Sequence, residues 1–340
     1  MTAPRRRLRP TILEVADLAG VSKSSVSNYF HHPGKLSEAT RRRIADAMDA
    51  VGFSLNDAAR TLRTGRSPVV GYVAFELAAA RTPVIANAVA ARLAEHDIDL
   101  LIATNQGDGS RERRYLSLFE RQRVSGLIVS PLGDLEDDLR RLRDMGIPSV
   151  LMTRHPRALD QPAVSIDHAK GGRLALEHLL ELGRRRVGFI TDTLAVEQIT
   201  LRFEGARAVA SAAGASIEVV ATAERSVMSG IATGRAIADL PAHERPDALF
   251  CVNDLVAIGV VHGLAGTVRV PQDVAVVGYD DIEFAQTPAV PLTSVGTPQS
   301  ELGEAAADLI LAETGITSSS MPRQREFAPW LVVRASTVAP

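Results

Sequence analysis

Lys23-Ser24-Ser25-Val26-Ser27-Asn28 sets one ammonium among small hydrogen-bonding side chains, shortly after Gly20. Hydroxyls and amides of this size meet base edges or phosphate oxygens, and a lysine finds phosphate or guanine. Further on, Asn56-Asp57-Ala58-Ala59-Arg60-Thr61-Leu62-Arg63-Thr64-Gly65 places two guanidiniums around one bulky apolar residue. A third group is spread through the second half of the chain: Arg202, Asn253-Asp254 and Asp280-Asp281. A carboxylate accepts hydroxyl hydrogens, a guanidinium donates a fork of N–H bonds and an asparagine does both, which together suit a polar small molecule. Asx residues are also the preferred caps, so Asn253, Asp254, Asp280 and Asp281 have a purely structural alternative.

The first group needs helices to carry it. Thr11-Ile12-Leu13-Glu14 has the form of a capping box, which predicts a helix to about Ala19 with Ile12, Val15, Ala16 and Ala19 on one face and Gly20 as its turn. Ser22 caps a second helix, Lys23 to about Phe30, too short to stand unless Val26, Tyr29 and Phe30 pack on its neighbours. A third, from about Ser37 to Val51, ends at Gly52. Two short helices joined through glycine with a buttress form a helix-turn-helix, whose second helix enters the major groove; Lys23, Ser24, Ser25, Ser27 and Asn28 form its exposed face. A three-helix protein-binding module is the bland alternative. Asn56 or Asp57 caps a further stretch, Ala58 to Thr64, too short to be helical alone and suited to folding on binding, with Leu62 as the available minor-groove wedge. Here the bland alternative is a linker.

Charge separates these residues from the rest. Residues 1–66 carry 12 Lys/Arg against 6 Asp/Glu, or +6, while the remainder carries 26 against 34, or −8, within a net charge of −2. The positive end points to a polyanion. Arg5, Arg6, Arg7 and Arg9 imitate the start of a signal peptide, but Pro10, Thr11, Glu14 and Asp17 break any apolar run behind them, so export is disfavoured. No uninterrupted apolar stretch approaches the roughly 18 residues that would suggest a membrane span. The lone Cys251 permits no internal disulfide, which suits the cytoplasm, and its apolar setting reads as core. The eight histidines are scattered, and His31-His32 lack partners at ligand spacing, so no metal site is expected. No phosphate-binding glycine loop or nucleophile elbow occurs, and neither catalytic residues nor a cofactor are expected.

From Pro68 short apolar runs alternate with helical segments. Val69 to Phe75, Leu100 to Ala103, Leu127 to Ser130 and Val150 to Met152 read as strands, separated by helices at about Pro83 to His96, Ser110 to Gln122 and Leu135 to Met145. A second series has strands near Val187 to Ile190, Ile217 to Val220, Leu249 to Val252 and Val274 to Val277. Wholly apolar strands predict parallel sheets covered on both faces, and two such lobes imply a cleft with ligand groups after the strands. Asn253-Asp254 and Asp280-Asp281 follow strands; Arg202 opens a helix after Phe189-Ile190-Thr191 and its loop.

Ordered motifs now bear on identity. Thr11-Ile12-x-x-Val15-Ala16-x-Leu18-Ala19-Gly20-Val21-Ser22-x-x-x-Val26-Ser27, Leu36-Ser37-x-x-Thr40-Arg41-x-x-Ile44, Gly52-Phe53 and Ala58-Ala59-Arg60-x-Leu62-Arg63-Thr64-Gly65 resemble the head and hinge of the lactose-repressor (LacI/GalR) family. Arg123-Val124-x-Gly126, Asp167-His168-x-x-Gly171-Gly172, Arg202-Phe203-x-Gly205, Asn253-Asp254-x-x-Ala257-x-Gly259, Gly278-Tyr279-Asp280-Asp281 and Pro291-Leu292-Thr293-x-Val295 resemble its effector domain, so the likeness covers nearly the whole chain. It implies a dimeric transcription regulator, most often a repressor, on a palindromic operator of double-stranded DNA, with Leu62 entering the minor groove. The implied DNA-contacting set is Thr11, Ser22, Lys23, Ser24, Ser25, Ser27, Asn28, Asn56, Ala59, Arg60, Leu62 and Arg63. Arg202, Asn253 and Asp280 match effector-contacting positions, and Arg154 follows its strand as a further candidate. Two departures stand out. Asn28 replaces a frequent arginine and is followed by Tyr29-Phe30-His31-His32, while the cleft loop Glu76-Leu77-Ala78-Ala79-Ala80-Arg81-Thr82-Pro83 lacks the family's paired aromatics.

The expected architecture is an all-α helix-turn-helix domain, residues 1–55, a hinge and linker, 56–66, and a two-lobed α/β periplasmic-binding-protein-like effector and dimerisation domain, 67–340. Its N-lobe takes about 67–166 and 298–327, and its C-lobe about 167–297 and 328–340. The expected function is effector-responsive, sequence-specific DNA binding by a cytoplasmic homodimer, with a small polar metabolite, a sugar among the options, between the lobes. The rival readings are a two-lobed solute-binding protein and an α/β enzyme without DNA function.

Overall fold

The computed structural model describes residues 10–53, 67–318 and 322–338. The chain divides into two compact units, Met1–Ser67 and Pro68–Pro340. Each is built from signals already visible locally.

In the first unit, helix α1 spans Ile12–Ala19 and closes its N-terminus with the full capping box: Thr11 N–H donates to Glu14 at 2.6 Å, and Glu14 N–H to the Thr11 hydroxyl at 3.4 Å. Gly20 ends it at φ +59°, a left-handed geometry that side chains resist. The freed carbonyls of Ala19 and Gly20 accept from Arg43 of helix α3 (Glu38–Val51), so a cation sits where the helix dipole is negative. Helix α2 (Lys23–His31) is capped by Ser22. Val15, Ala16, Ala19, Val26, Ile44 and Ala47 form the small core that makes these short helices stable together. Phe30 stacks edge-on with Tyr29 at 5.2 Å and against Phe53 at 6.5 Å, which accounts for the unusual aromatic pair.

The second unit contains two six-stranded sheets. Strands β1 (Val69–Ala74), β2 (Asp99–Thr104), β3 (Gly126–Val129), β4 (Ser149–Met152), β5 (Ala163–Ile166) and β11 (Gln324–Phe327) form the first, in the order β11-β5-β4-β3-β1-β2 and parallel throughout. The second, in the order β12-β10-β9-β8-β6-β7, joins β6 (Arg186–Thr191), β7 (Ser216–Ala221), β8 (Ala248–Cys251), β9 (Ala275–Asp280), β10 (Thr293–Gly296) and β12 (Trp330–Val332). Here β12 runs antiparallel to β10. The alternation along β1 is explicit: Val70 and Tyr72 pack with helices α4 (Arg81–Ala94) and α11 (Gln299–Glu313), whereas Val73 packs with α5 (Gly109–Arg121) and α6 (Glu136–Asp144) on the other face.

Full burial on both faces holds for the central strands and not for the rim. β2 and β7 are largely exposed along their length, because each is the last strand of its sheet. The strands β5, β10, β11 and β12 escape the apolar-run signal, since β11 reads Gln-Arg-Glu-Phe and is held by its pairing to β5. The remaining helices are α7 (His168–Glu181), α8 (Glu197–Ala212), α9 (Val227–Ala238) and α10 (Asp254–Leu264). α7 and α8 touch backbone to backbone: a Cβ on Gly172 would lie 1.9 Å from the Arg202 carbonyl oxygen, and one on Gly205 2.0 Å from that of Ala169. The chain passes between sheets at 167, at 297–298 and at 328–329, three crossings that join the lobes. No described helix is long and apolar enough to cross a membrane.

Candidate functional site

On the head, the face of α2 is built around its cap. The Ser22 hydroxyl accepts from Ser25 N–H at 3.1 Å and bonds the hydroxyls of Ser24 at 2.7 Å and Ser25 at 2.9 Å. Lys23 and Ser24 are exposed, while Ser25, Ser27 and Asn28 are half-buried, so the face is less open than helical periodicity predicts. Thr11 is engaged in its own capping box. A capped helix start flanked by hydroxyls and an ammonium presents partial positive charge to an anion such as phosphate. Asn56, Ala59, Arg60, Leu62 and Arg63 lie outside the described residues.

The second site lies between the lobes. Phe75 and Glu76 follow β1, Arg81 and Thr82 open α4, Gln198 and Arg202 project from α8, Arg225 precedes α9, and Asn253 and Asp280 follow β8 and end β9. Together they border a narrow cavity of about 30 Å³, well under the roughly 300 Å³ at which small-molecule sites usually begin. A sugar-sized molecule does not fit this arrangement of the lobes. Bonds that cross the gap hold it: Arg81 donates to the Gln198 amide oxygen at 2.8 Å, Gln198 to the Thr153 hydroxyl at 3.3 Å, and Arg154 pairs with Glu197 at 2.7 Å.

Arg202 anchors the floor. Its guanidinium lies 3.6 Å from the centroid of the Tyr279 ring, donates to Val252 O at 2.7 Å and to His168 Nδ1 at 3.4 Å, and stands 4.0 Å from Asp280 Oδ1. Asp280 lines the cleft, and its Oδ1 is buried without a hydrogen-bond partner. Asp280 and Asp281 hold φ of +99° and +49°, uncommon for non-glycine residues and found where a fold over-determines a site. Gln299, from the N-lobe helix α11, donates to the Asp280 carbonyl at 2.7 Å and so ties this turn to that helix.

Because an arginine can only donate, His168 Nδ1 must accept, and the imidazole proton sits on Nε2. Burial, with Arg202 and Arg81 beside it and His155 more distant, holds His168 well below its usual pKa of 6.5; the same burial pushes the Tyr279 phenol up to about 12. A histidine kept neutral in the fold but free to protonate when unfolded costs stability as pH falls below 6.5. The expected loss is about 1.4 kcal/mol per pH unit until the lowered folded value is reached. Melting temperature should therefore fall between pH 7 and 5, and His168→Gln should flatten that slope; an unchanged slope would rule out His168 as its source. His178, also shifted down by burial, adds to this slope, whereas Asp254 and Glu112, whose carboxyls burial shifts up, oppose it.

Arg202, Asn253 and Asp280 converge on one space, although Arg202 stands in the second turn of α8 and does not open it. The helix begins at Glu197, whose charge favours the first turn. Arg154 turns away from the lining: it holds Glu197 and the Gly133 carbonyl. Asn253 does cap α10, through Oδ1 to Val256 N–H at 2.9 Å, while lining the cleft as well. Asp254 is wholly structural, accepting from Ser294 at 2.6 Å and Ile282 N–H at 2.8 Å, with burial raising its pKa. Asp281 pairs with Arg334 at 2.7 Å. Phe75, Arg81, Gln198 and Arg225 were missed; their position just after strand ends or in the first turn of a helix was the available signal. Cys251 is fully buried in β8, and burial raises its thiol pKa. Among the described residues no cluster of three potential metal ligands is assembled.

Comparison with known proteins agrees with this architecture. Residues 11–56 match the model of bacterial regulatory proteins of the lacI family, and residues 176–337 that of the periplasmic binding protein-like domain. The ribose operon repressor of Escherichia coli (strain K12) is 31% identical over 335 residues, covering 96% of this chain and 99% of that protein. Among solved structures, the transcriptional regulator CelR in complex with cellobiose is 30% identical with a TM-score of 0.68, covering 96% of this chain and all of that one. The lac repressor dimer bound to operator, at 24% identity and a TM-score of 0.80 over 98% of this chain, shares the fold. A capped helix-turn-helix head, two α/β lobes and identity sustained along the chain thus lead to one assignment: the protein belongs to the lacI family of bacterial regulatory proteins.

Proposed function

We propose that this protein is an effector-responsive transcriptional regulator, a repressor, that binds a palindromic operator as a homodimer in the cytoplasm and performs no catalysis. The observation that carries the reading is the union in one chain of a capped recognition helix and a polar cleft between two lobes lined by Arg202, Asn253 and Asp280. Residues 1–55 read a half-site, with Thr11, Ser22, Lys23, Ser24, Ser25, Ser27 and Asn28 at the major groove. Asn56, Ala59, Arg60, Leu62 and Arg63 act at the dyad, Leu62 as the wedge. Residues 67–340 bind effector and dimerise, since two heads on a palindrome multiply the specificity of one. Relatives are named as a ribose operon repressor and as a regulator holding cellobiose, which supports a polyhydroxy effector at Arg202, Asn253 and Asp280.

Effector and DNA are coupled through the lobes. A molecule that changes their angle alters the spacing of the two chains' hinge segments, and operator must weaken effector by the factor that effector weakens operator. Gel shifts at rising salt test the DNA reading. Log affinity should fall linearly with log salt, by roughly 0.9 per phosphate neutralised, and removal of residues 1–67 should abolish binding; retained binding by 68–340 would sink the assignment of the head.

A further inference from the structure

We propose that the effector is an anionic polyhydroxy metabolite, a sugar acid or a sugar phosphate, whose charged group is gripped by Arg81 from one lobe and Arg225 from the other. This rests on the cleft being the effector site, and it adds the chemical class of the ligand.

The cleft holds three guanidiniums, Arg81, Arg202 and Arg225, in a space lined by only two carboxylates, Glu76 and Asp280. Buried charge is costly unless it is paired. Arg225 has Asp192 at 3.3 Å, just beyond the lining. Arg202 has its carboxylate, Asp280, no nearer than 4.0 Å. Arg81 donates to the neutral amide of Gln198, and its Nη1 is buried without a hydrogen-bond partner. Burial pushes Arg202 toward its uncharged form against the pull of Tyr279 and Asp280, and Arg81 and Arg225 add to that push; burial and Arg202, with Arg81 adding, hold His168 neutral. A site with this field attracts negative charge, and a planar fork of N–H donors matches a carboxylate or phosphate better than a hydroxyl.

Phe75 makes the same point from the other side. The Arg225 guanidinium packs over its ring at 4.6 Å. One face of the Phe75 ring is therefore covered by a cation. Asp280 and Asn253 line the same space and supply hydroxyl recognition beside the arginines. Arg81 opens α4 in the N-lobe and Arg225 precedes α9 in the C-lobe. An anion between them takes over the bridging that Arg81 and Gln198 provide in its absence.

Calorimetric titration and thermal shift of the full-length protein decide the matter. The probes are D-gluconate, D-glucuronate, glucose 6-phosphate and ribose 5-phosphate, each beside neutral glucose or ribose. At least one anionic probe is expected to bind ten or more times more tightly than its neutral parent, and the carboxylate and phosphate arms separate the two sources. Arg81→Gln and Arg225→Gln should each bring that ratio toward one, and Arg225→Lys, which keeps charge without the fork, should fall between. Melting temperatures without ligand confirm that the variants fold. Equal affinity for acid and parent, discrimination indifferent to both glutamine variants, or no binding by any anionic probe at millimolar concentration each overturns the proposal. DNA binding by the same preparation keeps the two readings apart: DNA binding with only neutral sugars bound removes the anion, whereas anion binding without DNA binding removes the regulator.

Discussion

Asp280→Asn is expected to raise the effector concentration needed to release DNA by about 10- to 150-fold, the equivalent of one charge-assisted hydrogen bond of about 1.5–3 kcal/mol. The substitution is nearly isosteric, and the carboxyl Oδ1 makes no hydrogen bond in the fold. The backbone carbonyl keeps its bond from Gln299, and the turn at φ +99° tolerates asparagine as it tolerates aspartate. Arg202 also loses the carboxylate 4.0 Å away, which leaves its buried charge to Tyr279, Val252 and His168 alone. DNA affinity without effector should stay within twofold. Titration of the variant with the metabolite that stabilises the wild type provides the measurement, and an undiminished response would remove Asp280 from the site.

The second large effect reverses an ordinary rule. Alanine in place of glycine within a helix usually stabilises by up to about 1 kcal/mol. Gly172→Ala should instead destabilise the Pro68–Pro340 unit by about 3 kcal/mol, because its Cβ would lie 1.9 Å from the Arg202 carbonyl oxygen. Backbone cannot rotate aside as a side chain can, so α7 and α8 must separate. The expected fall in melting temperature is roughly 6–12 °C. Gly109→Ala is the control, since a Cβ there meets nothing within 4 Å and the substitution should be neutral or slightly stabilising. Separating the helices also moves the Arg202 backbone, so effector affinity should fall together with stability. A neutral Gly172→Ala would show that the interface yields more easily than its geometry implies.

Legibility varied with the range of the interaction concerned. The capping box at Thr11 and Glu14, the cap at Ser22, and the stops at Gly20 and Gly52 were all recognisable, because each joins residues within one turn of helix. Central strands were recognisable from their apolar runs. The rim and crossing strands were not, since β11 and β12 are held by pairing across the sheet and carry little apolar signal. The openness of the α2 face was overestimated at Ser25, Ser27 and Asn28, because helical periodicity shows which side a residue faces and not what later covers it.

The sequence by itself determined the order of domains, the helix-turn-helix with its caps, the alternating lobes and the family, through motifs whose chemistry is local. Only the tertiary structure decided which charged residues share a cleft. Arg154 follows β4 and Arg202 lies on α8, yet one is spent on Glu197 and the other meets Tyr279 and the Asp280 turn. Arg81 and Arg225 lie far apart in the chain and border one space. The physical reason is that a side chain's partner is set by the packing of whole lobes, where a shift of a few ångströms exchanges an ion pair for an open binding group, and no short stretch of residues encodes that distance.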